Sequence, residues 1–332
     1  MKFGLFIPQG WRQDLTGIPT ERHWPLMKEL AQQADQGDAY DSLWVYDHFH
    51  TVPEPVHEAT HEAWTLMAAF AATTTRVHLG QMCTCMGYRN PAYLAKAATT
   101  ADIISGGRIQ MGIGAGWYEH EWRAYGYGFP TAGQRLAALA EGVDIMHQMF
   151  TTGHATLDGT HYQITDALNY PTPTGTVPLW IAGGGEKKTL RIAAQYAQYT
   201  NFDGTPEVFS HKSEVLRSHC DDLGRDFATI TRSANYNVVI AETEREVNDR
   251  INWYRQHLER TVSPQAAERE THSLANGPLV GTPERIIDTL HDLEQRGMTY
   301  AITYFPELAY DTSGMELFER TVIPHLSQTM GK

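Results

Sequence analysis

Residues 76–117 read RVHLGQMCTCMGYRNPAYLAKAATTADIISGGRIQMGIGAGW. From Arg76 to Trp117 this is the pattern of strand, helix and strand. Val77 to Met82 mixes β-branched and long apolar side chains after a threonine run, as in a parallel strand buried on both faces. Asn90-Pro91 then offers a capping side chain followed by proline in the first helical turn. The Ala-rich segment up to Ile104 is stopped by Ser105-Gly106-Gly107. Arg108 to Ile113 restarts the strand pattern. Gly112, Gly114 and Gly116 leave the backbone bare at its carboxyl end, where a flat ligand can lie close to the main chain. In barrels of parallel strands that end carries the site.

The same alternation runs outward along the chain. Strand-like runs occur at Phe3 to Ile7, Ser42 to Tyr46, Pro178 to Ala182, Tyr199 to Phe202, Asn237 to Ala241 and Tyr300 to Phe305, eight with the two above. Helical patterns lie between them at Glu21 to Gln36, Glu62 to Thr73, Gly133 to Phe150, Lys187 to Tyr196, Glu207 to Leu223, Glu244 to Gln256 and Pro283 to Arg296, with a last one near Gly314 to Leu326. Strands alternating with helices predict a parallel sheet with crossover connections, and eight units favour an α/β fold of the (β/α)8 TIM-barrel type. Insertions are expected after strand 4, where Trp117 to Phe129 is rich in aromatics and glycine, and after strand 7, where Leu258 to Pro278 is charged and helix-compatible. Asp158-Gly159 marks a hairpin inserted before strand 5. These excursions are candidate lids or pocket walls. One domain over residues 1–332 is expected at this length.

With 42% hydrophobic and 20% charged residues, the chain has the composition of a globular protein with a large core. A formal net charge of −13 argues against non-specific nucleic-acid binding and against an anionic membrane surface. It favours a small-molecule substrate. The amino terminus, MKFGLFIPQGWRQD, has a short apolar run soon broken by Pro8, Gln9 and Arg12, and reads as a first strand rather than a signal peptide. No apolar run approaches the ~20 residues that span a bilayer. Three cysteines without regular spacing make a disulfide framework unexpected, and the cytoplasm is the expected compartment.

Four constellations carry candidate chemistry. His57-Glu58-Ala59-Thr60-His61 matches the zincin pattern H-E-x-x-H, which needs a helix to align both imidazoles and a third ligand beyond it. Pro53 and Pro55 lie just upstream and no Asp or Glu occurs between Glu62 and Asp102, so the motif is discounted and no metal is expected. Cys83 and Cys85, two apart at the end of strand 3, share a face and read as small buried or ligand-adjacent side chains. Asp47-His48 follows the strand SLWVY. A histidine there suits proton transfer near neutral pH with the aspartate orienting it, and the pair equally suits a loop histidine beside a helix-capping aspartate. Trp180 to Gly185 is a buried strand running into three glycines, followed by Lys187 and Lys188 at a helix start. Bare amides and local positive charge suit a phosphate; a tight turn before a solvated basic face is the alternative.

These segments together resemble the bacterial luciferase-like superfamily, and within it the deazaflavin-dependent oxidoreductases that use coenzyme F420. The matching stretches are Asp41 to Phe49, Arg89-Asn90-Pro91-Ala92, Ser105-Gly106-Gly107-Arg108 with Gly114-Ala115-Gly116-Trp117, Trp180 to Leu190, and Val280-Gly281-Thr282-Pro283 with the last strand. They cover nearly the whole chain. The resemblance implies a barrel with the cofactor ring at its carboxyl end and a non-prolyl cis peptide in the bulge ending strand 3, where Met82, Cys83 and Thr84 stand. It implies His48 as acid or base with Asp47 beside it. It also places Gly114, Ala115 and Gly116 near the ring, Ala182, Gly183, Gly184 and Gly185 near the ribityl and phosphate portion, and Lys187 or Lys188 on the phosphate or acidic tail. Some sugar-phosphate dehydrogenases of the family carry a glutamate where this chain has Trp117, which argues against that activity. Trp117 and Tyr118, with Trp11 after strand 1, make an aromatic rim for an apolar or conjugated substrate, and Glu119, His120 or Glu121 either assist proton transfer or belong to an exposed lid. FMN is the alternative cofactor, in a monooxygenase or in a flavin-binding protein without catalysis. The resemblance further implies a homodimer through the helices near Trp64 to Ala72 and Ala92 to Ile104.

Overall fold

The computed structural model describes residues 1–327. In chain order the elements are β1 (Lys2–Phe6), α1 (Thr20–Gln36), β2 (Ser42–Val45), α2 (Ala63–Thr73), β3 (His78–Gln81), β4 (Thr84–Cys85), α3 (Pro91–Ser105), β5 (Ile109–Gly114), α4 (Glu119–Ala124), α5 (Ala132–Thr152), β6 (His154–Asp158), β7 (Gln163–Leu168), β8 (Leu179–Ala182), α6 (Thr189–Tyr196), β9 (Tyr199–Asn201), α7 (Pro206–Leu223), β10 (Thr231–Ile240), α8 (Glu244–Leu258), α9 (Pro264–Ala275), β11 (Leu279–Gly281), α10 (Pro283–Gln295), β12 (Tyr300–Tyr304), α11 (Ser313–Thr321) and α12 (Ile323–Ser327). The fold is a (β/α)8 barrel whose eight parallel strands are β1, β2, β3 continued by β4, β5, β8, β9, β10 and β12. The expected insertions are all present: α4 after the fourth barrel strand, the β6–β7 hairpin before the fifth, and α9 with β11 after the seventh. Among the described residues no helix is long and apolar enough to cross a membrane.

The chain divides into two compact units. The first comprises Met1–His61, Asp203–Ser210 and the chain from Arg232 onward. In it β1 pairs in parallel with β2 and β12, and β12 with β10, placing Leu5 opposite both Leu43 and Thr303. The strands are buried along nearly their whole length, as the continuous apolar runs foretold. A satellite core of Val247, Tyr254, Leu258, Ala266, Leu274 and Val280 seats α8, α9 and β11 on the end of β10.

The second unit comprises Glu62–Phe202 and His211–Thr231. Here β3, β5, β8 and β9 pair in parallel, with Leu79 opposite Ile109, Met111 opposite Leu179 and Trp180 opposite Tyr199. The Ser105-Gly106-Gly107-Arg108 sequence explains itself. Gly106 ends α3 in the left-handed conformation, φ 70°, which costs a Cβ-free residue nothing. Buried Arg108 then turns its guanidinium onto oxygens that would otherwise be unsatisfied at the end of α2 and the start of β3. It donates to the carbonyls of Ser105 (2.7 Å), Val77 (2.7 Å), Ala71 (3.1 Å) and Thr74 (2.7 Å) and to Thr74 Oγ1 (2.9 Å). In the hairpin, the Glu141 carboxylate accepts from the amides of Thr160, His161 and Tyr162 and so holds the turn that Asp158-Gly159 announced.

Three sequence expectations are corrected at their boundaries. The seventh barrel strand begins at Thr231 rather than Asn237, because Arg232, Ser233 and Asn235 interrupt the apolar pattern although Ser233 is fully buried. Val280-Gly281, expected only as the approach to a helix, forms β11 by pairing with β10. The last helical pattern is split at Val322, where Pro324 has no N–H to continue the ladder.

Replacing Arg108 with lysine keeps the charge but not the planar fork. It is expected to lower unfolding free energy by roughly 2–5 kcal/mol in urea titrations, since several buried carbonyls lose their donor together.

Candidate active site

The carboxyl end of the third barrel strand is irregular in a defined way. Gly80 lies opposite Gln110 and Thr84 opposite Ile113, so four steps along one strand meet three along the other, a one-residue bulge at Met82–Cys83. The Met82–Cys83 peptide is cis, the non-prolyl bond that the resemblance implied within Met82 to Thr84. Met82 and Thr84 are buried and Cys83 is half-buried. Across from the bulge, a Cβ on Gly112 would strike the Gln81 carbonyl, and one on Gly114 would lie 2.7 Å from Cys83 Sγ. Glycine is therefore required for the strands to approach here. Thr84 Oγ1 donates to Gln81 Oε1 at 2.9 Å, while the buried Gln81 Nε2 has no acceptor. The bulge thus occupies the space that side chains at Gly112 and Gly114 would take, leaving Cys83 half-buried and one buried amide donor, Gln81 Nε2, unmatched.

The expected phosphate segment leaves β8 at Ala182 and turns through Gly183, Gly184 and Gly185 before α6. The Gly183 amide donates to the Asn201 carbonyl at 2.8 Å. Lys187 and Lys188 are both exposed, and Lys188 Nζ lies 3.5 Å from the Gly133 carbonyl. The cation beside the glycines is Lys212 of α7, which the sequence reading did not single out. Its Cε lies 3.4 Å from where a Cβ on Gly184 would stand, and its Nζ donates to Glu186 at 2.6 Å. After β5, Gly114, Ala115 and Gly116 lead to Trp117, 60% exposed, which stacks on Tyr118 with ring centroids 5.2 Å apart. Burial, with Glu121 nearby, pushes the Tyr118 phenol up to about 12. Glu121 itself is fully buried and accepts from Tyr88 Oη at 2.8 Å, a structural placement that separates it from exposed Glu119 and His120.

In the first unit the strand ends converge on the turn after β1. Gln9 is fully buried and donates to the carbonyls of Tyr46 (2.8 Å) and His61 (2.9 Å), while its Oε1 accepts from the Tyr46 amide (2.5 Å). This fixes the backbone from which Asp47 and His48 leave β2. Asp47 is buried and His48 half-buried. The His48 ring stacks flat on Trp11 at 4.1 Å, and Trp11 also meets Tyr46 at 4.4 Å. The structure thus brings the expected proton-transfer histidine and one expected rim tryptophan together. Beside them stands a cluster that sequence reasoning missed. Arg12 donates to Asn237 Oδ1 at 2.7 Å and lies over the Tyr304 ring at 4.4 Å. Asp14 accepts from the Gly10 amide at 2.7 Å and from Tyr304 Oη at 3.2 Å. Burial raises the Asp14 carboxyl to about 6 against those hydrogen bonds, and raises the Tyr46 phenol to about 12. The partners of this cluster at Asn237 and Tyr304 are too distant in sequence from Arg12 and Asp14 for any local pattern to reveal.

His57 to His61 is not helical. His61 Nε2 instead meets His23 Nδ1 at 3.0 Å, and His23 Nε2 donates to the Ile18 carbonyl at 2.8 Å. Burial, with His23 alongside, holds His61 below the usual histidine range. Among the described residues no group of three His, Cys, Asp or Glu side chains is arranged to hold a metal ion.

A family model described as luciferase-like monooxygenase matches residues 1–300. The F420-dependent glucose-6-phosphate dehydrogenase of Amycolatopsis mediterranei is 35% identical over 160 residues, which is 47% of this chain and 46% of that enzyme, so the match spans less than half of the relative. The pyrimidine monooxygenase RutA of Agrobacterium fabrum is 31% identical over 258 residues, 74% of this chain and 69% of that one. Among solved structures, an F420-dependent secondary alcohol dehydrogenase in complex with an F420-acetone adduct shares the fold with a TM-score of 0.78 at 18% identity, covering 98% of both chains.

The raised Asp14 carboxyl has a measurable consequence. Its folded value of about 6 exceeds the ordinary 3.8, so the fold binds the proton more tightly than the unfolded chain. Its contribution to stability is present below pH ~4 and is lost as pH rises through ~6. Relative to Asp14→Asn, the wild type is expected to lose up to roughly 3 kcal/mol across that window in urea titrations at stepped pH.

Proposed function

The chain belongs to the luciferase-like monooxygenase family, and from that footing we propose that it is an oxidoreductase moving a hydride between coenzyme F420 and an organic small-molecule substrate. The observation that carries the reading is the irregular end of the third strand, where the Met82–Cys83 bulge packs on Gly112 and Gly114, Cys83 is half-buried and the Gln81 amide is unmatched. It suits a flat heteroaromatic ring with carbonyl acceptors, and the likeness to an F420-dependent dehydrogenase supports a deazaflavin there. When bound, that cofactor supplies a ring carbon that gives or takes the hydride.

The residues of the chain do the rest. Met82, Cys83 and Thr84 support the ring from one side, with Gly114, Ala115 and Gly116 along its edge. Ala182 to Gly185 accommodate the anionic tail, with Lys187, Lys188 and Lys212 as its counter-charges. His48, held flat against Trp11 and leaving a strand whose backbone Gln9 locks, gives a proton to a carbonyl oxygen or takes one from a hydroxyl, with buried Asp47 beside it. Trp11 in the first unit, and Trp117 and Tyr118 in the second, each offer aromatic surface suited to an apolar or conjugated substrate. Assembly as a homodimer through the outer faces of α2 and α3 accords with the exposure of Tyr93 and Ile104 there.

A monooxygenase using FMN is the second reading, favoured by the longer match to RutA. Titration of apo-protein with oxidised F420 and with FMN, followed by ligand fluorescence, separates them. Micromolar F420 affinity with weak FMN binding is expected; the reverse preference turns the reading to oxygen chemistry. His48→Gln is expected to retain cofactor affinity within a few fold while turnover of a reducible substrate falls roughly 10²–10⁴-fold, measured by F420 absorbance.

A further inference from the structure

Three consecutive side chains after β1 present hydrogen-bond donors, and two of them have a buried donor with no acceptor. The Arg12 guanidinium is largely buried and meets only neutral side chains, Asn237 Oδ1 at 2.7 Å and the hydroxyls of Tyr46 and Tyr254, while among the described residues no carboxylate forms an ion pair with it. Asp14, two residues on, is turned instead to the Gly10 amide and Tyr304 Oη. Trp11 Nε1 and Gln13 Nε2 are buried with no acceptor, and Gln13 is fully buried. Asn237 spends its oxygen on Arg12.

A buried guanidinium without an anionic partner is costly. The Tyr304 ring face offsets part of that cost, but a ring does not engage the planar N–H fork, which matches a carboxylate through two parallel hydrogen bonds. The donors are also held in place without a ligand. Gln13, at φ 65°, gives its carbonyl to His257 Nε2 at 2.8 Å and its Oε1 to Thr261 Oγ1 at 2.6 Å. Tyr310 Oη donates to the Thr16 carbonyl at 2.9 Å. In a chain of net charge −13, such a fixed local cation is what an anionic ligand needs.

We propose that the turn Trp11–Gln13, with Arg12 and Asn237 as its anchors, binds a carboxylate carried by the substrate, so that the substrate class is an organic acid with an apolar or aromatic body lying against Trp11. This deepens the proposed function and rests on it for the identity of the reaction, but the binding itself requires no cofactor.

Cofactor-free protein is titrated with benzoate and 3-phenylpropionate and with their uncharged amides, following tryptophan fluorescence and thermal shift. The acids are expected to bind at least about 10-fold more tightly than the amides. Arg12→Gln is expected to lower acid affinity about 10- to 100-fold while leaving amide affinity unchanged, with Arg12→Lys between, as loss of charge-assisted hydrogen bonds dictates. Equal binding of acid and amide, binding of neither, or acid affinity that survives Arg12→Gln overturns the proposal. Should Arg12→Gln not fold, the acid-against-amide comparison on wild type and on Asn237→Leu decides. A parallel F420 titration keeps the two readings apart. Normal F420 affinity without acid preference overturns the carboxylate subsite alone, and acid preference without F420 affinity upholds it while removing the cofactor assignment.

Discussion

One buried guanidinium sets the geometry of half the molecule. Arg108 gives hydrogen bonds to four carbonyls and a hydroxyl from the end of α2, the start of β3 and the end of α3. Two helix ends inside a protein leave carbonyls that must be met by donors, and a single planar fork meets them at once. Because both helices stop against the same group, β3 and β5 start in fixed register, Leu79 opposite Ile109. The bulge at Met82–Cys83 then falls at the far end of that pair, against Gly112 and Gly114. The surface attributed to the cofactor is the downstream result of a structural arginine some distance along the strand.

Arg12 shows the opposite arrangement of the same side chain. Arg108 is saturated by four carbonyls and a hydroxyl; Arg12 meets only neutral side chains, the Asn237 amide and the hydroxyls of Tyr46 and Tyr254, beside the Tyr304 ring face. Satisfied buried polarity builds a scaffold, whereas unsatisfied buried polarity that the fold nonetheless holds in place marks a surface prepared for something else. The same contrast separates Gln9, with both ends of its amide engaged, from Gln81 and Gln13, each with an idle nitrogen. Asp14, lifted to about 6 by burial, completes the set on the phenol side of Tyr304 rather than on Arg12 itself.

The barrel was legible because its strands are apolar on both faces and its helices carry caps: Asn90 accepts from the amides of Ala92 and Tyr93, and Gly106 closes the same helix. Glycine placement marked a strand end that the structure makes irregular, with the Met82–Cys83 bulge packed on Gly112 and Gly114. Where polar residues occupy barrel positions the pattern failed, and β10 was read six residues short because Arg232, Ser233 and Asn235 hide a strand that is partly buried. Local motifs marked His48, the bulge and the glycine loop as the candidate site. Arg12 with Asn237, and Gly184 with Lys212, were not marked, since each pair joins residues that only the folded chain makes neighbours. The H-E-x-x-H spacing at His57–His61, discounted from the sequence for its upstream prolines and lack of a third ligand, lies on non-helical backbone.

The turn after β1 is braced by the far end of the chain, through His257 and Thr261 on Gln13 and Tyr310 on Thr16. Those braces belong to the end of α8, to the turn that follows it and to the loop after the eighth barrel strand, and loops are the parts of a barrel freest to drift between homologues. A chimera that takes its opening strand and turn from one parent and its final third from another inherits a turn without its brace. Crossovers between residues 17 and 250 therefore separate two segments that this fold uses as one, and libraries aimed at new substrates gain most by varying residues 11–13 jointly with 257–261.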